Sequence, residues 1–131
     1  MALRSVGFFR ELRHGDSAGP SLRASVGQLA SPHVPELVGY LESAPALATT
    51  GSLVDDVLDG AQKGVARLEV ATDGEWVWPR DLAYYVSRYR VGLPADFIEH
   101  IHAAHGAPPS LDHEDFDRIT REYLEGKRET D

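Results

Sequence analysis

A chain of 131 residues, 42% hydrophobic and 26% charged, has the size and balance of one globular domain spanning 1–131. It contains no cysteine, which excludes disulfides, thiolate nucleophiles and Cys-bearing zinc sites and fits a reducing compartment. The net charge of −8 argues against nucleic-acid binding, which rests on Lys and Arg neutralising phosphates, and suits a basic protein partner instead.

The charge is unevenly spread. From Asp96 onward ten acids face only Arg118, Arg121, Lys127 and Arg128, while the first thirty residues carry four arginines against Glu11 and Asp16. Val6 to Phe9 is too short for the apolar core of an export signal, and Arg10 interrupts it. No stretch approaches the roughly 20 apolar residues that span a bilayer, so the expected setting is the cytoplasm, without membrane contact.

Ser5–Leu12 (SVGFFREL) reads as an edge strand or a short helix, its aromatic content favouring strand. His14–Pro20 is a loop; its GDSAG run lacks the strand-to-helix context of a nucleophile elbow. Ser21 reads as an N-cap for a helix carrying Leu22, Val26, Leu29 and Ala30, ended by Ser31-Pro32. A second helix runs from about Pro35 to Ser43, with Leu37, Val38 and Leu41 as its apolar stripe and Pro45 as its stop. Ala46–Thr50 is ambiguous. Ser52–Asp59 suggests a short helix with Leu53, Val57 and Leu58 inward and Asp56 and Asp59 toward solvent.

The central segment is the best punctuated. Leu68 and Val70 alternate with Glu69 and Ala71 as a half-buried strand, Asp73-Gly74 signals a two-residue type I′ turn, and Glu75–Trp78 returns with Trp76 and Trp78 on one face. If this hairpin lies at an edge, Glu75 and Val77 face a partner. Arg80–Arg90 reads as a helix burying Leu82, Tyr85, Val86 and Tyr89, with Tyr84 off that face. Gly92 breaks it, and Pro94 opens another helix with Phe97, Ile98 and Ile101 inward. After a turn at Gly106–Pro109, Ser110 or Asp112 caps a last helix carrying Phe116, Ile119 and Tyr123. Gly126 falls where a helix would end, with a frayed tail over 127–131. The expected class is α+β and mainly helical, with five or six helices around a small antiparallel hairpin at about 67–78.

No catalytic constellation emerges. Zinc needs three or four converging ligands, and the histidines offer a weak set. His102 and His105 share a helical face and His113 follows a turn later, whereas His100 points away because two residues turn a helix by about 200°. Asp55, Asp56 and Asp59 have no phosphate-cradling partner. They read as a solvated or partner-facing patch more readily than as an acid–base pair. No resident cofactor is expected.

The run from Thr72 to Ile101 resembles small actinobacterial and firmicute proteins encoded beside polymorphic toxins and read as immunity proteins. Their pattern TDG-x-W-x-WP … YYV … Y-x-V-x-LP-x-x-F corresponds here to Thr72, Asp73, Gly74, Trp76, Trp78 and Pro79, then Tyr84, Tyr85, Val86, Tyr89, Val91, Leu93, Pro94 and Phe97. The opening VGFFREL with a following GPSL is similar to the same group, and together these motifs cover roughly half of the chain. They are turns, helix starts and core aromatics, so they speak to a shared fold more than to a shared activity. The resemblance implies a cofactor-free acidic domain that binds a cognate toxin and occludes its active site. Many such toxins are basic nucleases, whose phosphate substrate an acidic surface mimics. Candidate contacts are Asp55, Asp56, Asp59, Glu75, Tyr84, Asp112, Glu114, Asp115 and Asp117. The other readings are a general interaction adaptor, monomeric or homodimeric, and a metal hydrolase using His102, His105 and His113.

Overall fold

Five α-helices and a four-stranded mixed sheet make up an α+β fold, as seen in a computed structural model describing residues 3–130, with the side chains of 127–130 outside the description. The strands are β1 (Arg4–Ser5), β2 (Ala46–Val54), β3 (Ala66–Thr72) and β4 (Trp76–Pro79), in the order β1-β4-β3-β2. The helices are α1 (Leu22–Ser25), α2 (Val34–Ser43), α3 (Leu82–Tyr89), α4 (Ala95–Ala103) and α5 (His113–Thr130). A 3-10 turn, Ser31–His33, leads into α2. Among the described residues, no helix is long and apolar enough to cross a membrane.

The core lies between the sheet and α2, α3 and α4. Trp76 and Trp78 leave β4 on the same side and enclose Phe97 of α4, with ring centroids 4.8 and 5.6 Å away. Such tilted pairs add about 0.5–1.5 kcal/mol each beyond the burial of their area. The Trp78 indole N–H donates to the Leu41 carbonyl at the end of α2, which Arg80 also reaches while pairing with Glu69 at 2.8 Å. Helix ends leave carbonyls without partners, and here the sheet supplies them.

The expected helix at 21–30 stops after Ser25. Gly27 takes φ +78°, and the following chain straps onto the end of α3: Gly27 N–H donates to Tyr89 O, and Leu29 N–H to Arg90 O. Ser21 caps the four-residue α1 as expected, and Glu11 strengthens the cap by accepting from the Leu22 and Arg23 amides and the Ser21 hydroxyl. The expected strand at 5–12 is also shorter. It turns at Gly7 (φ +81°), where a Cβ would come within 2.7 Å of Leu82, and the segment folds into turns that still bury Phe9 and Leu12.

The ambiguous segment at 46–50 is strand, and the expected helix at 52–59 does not form. Ser52–Val54 continues β2, after which the Asp56 carboxylate accepts from the Leu58 and Asp59 amides and turns the chain. A side chain that captures nearby amides competes with helix formation. The Asp73-Gly74 turn is not type I′, since only Gly74 has positive φ. Asp73 Oδ1 instead accepts from the Glu75 and Trp76 amides. β4 is not an edge strand either: β1 pairs beside it in parallel and Val77 is buried, leaving only Glu75 of the expected outer pair exposed. The last helix runs through Gly126 to Thr130 without ending there, and the expected fraying falls on residues whose side chains, and for Asp131 the backbone, lie outside the described ones.

Candidate partner-binding surface

Two buried carboxylates flank β3: Asp73 directly follows its last residue, and Asp56 lies just past Val54 of β2, which pairs with Ala66 at the start of β3. At the far end, Asp73 Oδ2 receives the Tyr40 hydroxyl at 2.6 Å and lies 2.7 Å from His100 Nε2. Glu75, whose side chain is 71% exposed, sits 3.2 Å from the other nitrogen of the same imidazole. Burial first, then the neighbouring Asp73 carboxylate, pushes the Tyr40 hydroxyl strongly up, so it stays a donor. His100 is thus committed to two carboxylates and ties α4 to the turn.

The start of α5 packs onto this turn. A Cβ at Gly74 would lie 3.4 Å from Leu111 and 3.8 Å from Ile119, which is buried. Asp112 caps α5 by accepting from the Asp115 amide, and the Asp115 carboxylate accepts from the Asp112 amide in return. This is a capping box built from two aspartates. Glu75, Asp112, Glu114, Asp115 and Asp117 therefore gather at one end of the molecule. Arg118 approaches Asp115 there at 3.8 Å, and the Arg121 guanidinium turns to the Asp117 carbonyl.

The other end differs. Asp56 is buried. It accepts the Tyr84 and Tyr89 hydroxyls at 2.7 and 2.5 Å, in addition to the two amides of its turn. Asp56 is therefore unavailable to a partner, contrary to its expected solvent position. The half-buried Tyr84 spends its hydroxyl on that carboxylate. Burial first, and then Asp56, pushes the Tyr84 hydroxyl up to about 12. Asp55 is exposed but faces Lys63 at 3.6 Å, and Asp59 faces Arg88 at 3.5 Å. Three carboxylates against two cations leave little net charge here.

The three candidate metal histidines go separate ways. His102 pairs with Glu36, His105 takes φ +55° just past α4, and His113 lies 3.7 Å from Asp117 on the surface of α5. Among the described residues, no group of three or more His, Cys, Asp or Glu side chains is placed to hold a metal ion.

Sequence reasoning missed the Tyr40–Asp73–His100 network. Its only local signal is the Thr72-Asp73-Gly74 turn, and nothing in the spacing ties Tyr40 or His100 to it. A cleft of about 640 Å³, lined by Phe8, Leu29, His33, Leu93, Pro94 and Ile98 among others, was equally illegible. Its walls are mainly apolar, and Asp16 is its one carboxylate. No known protein family matches the chain, and no curated protein or solved structure matches it.

Proposed function

We propose that this chain is a non-enzymatic binding protein of the bacterial cytoplasm, an immunity-type inhibitor that covers the active site of a cognate basic toxin with an acidic surface. The observation that carries this reading is the gathering of Glu75, Asp112, Glu114, Asp115 and Asp117 around the Asp73 turn and the first turn of α5. These carboxylates outnumber the two arginines beside them, Arg118 and Arg121, and a surface of net negative charge steers an oppositely charged partner and raises its association rate. The patch at Asp55 and Asp59 is offset by Lys63 and Arg88 and is the weaker candidate.

Co-expression with the product of the adjacent gene, if that product carries a C-terminal toxin domain, tests the reading. Rescue of growth, with association that slows as salt rises, is the expected result, because charge steering is screened beyond about 10 Å at 0.1 M salt. Failure to bind or rescue against that toxin overturns it. Tight binding without salt dependence overturns the electrostatic part alone.

A further inference from the structure

We propose that the outer edge of β2 is a self-association surface, on which a second copy of this chain pairs antiparallel to extend the sheet. Three observations meet there. β2 closes the sheet on one side, so among the described residues one row of its backbone N–H and C=O groups has no strand beside it. Apolar side chains stand uncovered along the same hairpin: Leu53 is 59% exposed and Val57 37%, with Leu47, Leu68 and Val70 half-buried. From Ser43 to Val54 there is no charged residue and no histidine, in a chain of net charge −8.

The last point selects the occupant. A basic partner is drawn to carboxylates, and this edge offers none. Two copies of an acidic protein repel each other, and an uncharged edge is where their approach costs least. Antiparallel pairing about a two-fold axis is also self-complementary, each copy presenting the same residues to the other. The register against β3 shifts twice, between Ala46 and Ala48 and again between Thr49 and Leu53 around Gly51 (φ +80°); the second shift kinks the strand and confines the pairing chiefly to Ala46–Thr49, a stretch that itself carries the first irregularity. Lysine, proline or inward charge usually guards such an edge, and none stands within β2.

Sedimentation velocity over a concentration series tests the proposal, with far-UV circular dichroism as the folding control. The expected result is a reversible dimer of twice 14.4 kDa whose association strengthens with salt, because salt screens the repulsion between two acidic bodies. Ala48→Lys, at an exposed position on the edge, should return it to monomer with the fold intact. If that variant misfolds, Ala46→Lys, exposed on the same segment, takes its place. A chain that stays monomeric at every concentration overturns the proposal, as does a dimer indifferent to the folded lysine variant or one that dissociates as salt rises.

Discussion

Asp73 and Asp56 lie at opposite ends of β3 and solve the same local problem in the same way. Each uses one oxygen to hold the amides two and three residues onward and the other to accept tyrosine hydroxyls. What differs is where the partners come from. Asp73 draws Tyr40 from α2 and His100 from α4, so one carboxylate joins two helices to the sheet. Asp56 draws both tyrosines from α3 and fastens only its own loop. The fully buried Tyr40 has no route to water, whereas Tyr84 and Tyr89 are half-exposed. The same motif is therefore a tertiary junction at one end and a loop anchor at the other.

The sharpest break of the comparison is Asp73→Ala, expected to cost about 3–5 kcal/mol because it strands buried donors and removes the imidazole's partner. Asp56→Ala should cost less, about 2–3 kcal/mol, since the freed hydroxyls can turn to solvent. Urea denaturation of both variants checks the order, and the reverse order would contradict the account. Tyr40→Phe should likewise cost about 1–2 kcal/mol and Tyr84→Phe less than 1, each measured as a thermal shift.

Acid should weaken the Asp56 anchor. Burial alone would raise the Asp56 carboxyl, but hydrogen bonds from Tyr89, Tyr84 and the Leu58 and Asp59 amides outweigh it and hold the group below its ordinary 3.8. Its contribution is complete above that value and is lost as pH falls through the lower folded-state value. Glu11 follows the same sign. Burial again opposes, but the Arg23 and Leu22 amides and the Ser21 hydroxyl lower it to about 2, so its share disappears between pH 4.5 and about 2. Asp56→Asn and Glu11→Gln should each flatten the acid limb of a stability-versus-pH curve. The smallest effect is expected from Arg88→Ala, whose melting temperature should stay close to that of the parent chain, because its pairing with Asp56 and Asp59 comes from an exposed side chain at 3.5 Å or longer.

Legibility in the sequence follows the same division. Where periodicity and punctuation agree, the reading holds: Leu82, Tyr85 and Val86 line α3, Phe97 and Ile101 line α4, and Asp112 caps α5. It fails where a side chain or a distant backbone captures local amides. Asp56 turned an apparent helix into a loop, and the end of α3 took the amides of Gly27 and Leu29. The candidate surface was half legible. The sequence names the carboxylates, but only the fold pairs Asp55 and Asp59 with cations, buries Asp56 and brings Glu75 beside α5.

The central claim is that the protein works through the carboxylates at the Asp73 end. Affinity for the cognate toxin domain that the proposed function calls for tests it most directly, measured for Glu75→Gln/Glu114→Gln/Asp117→Asn and, separately, for Asp55→Asn/Asp59→Asn. The account predicts that the first variant loses at least about tenfold in affinity, some 1.4 kcal/mol, while the second binds like the parent chain. Equal losses, or a loss confined to the second variant, would contradict it.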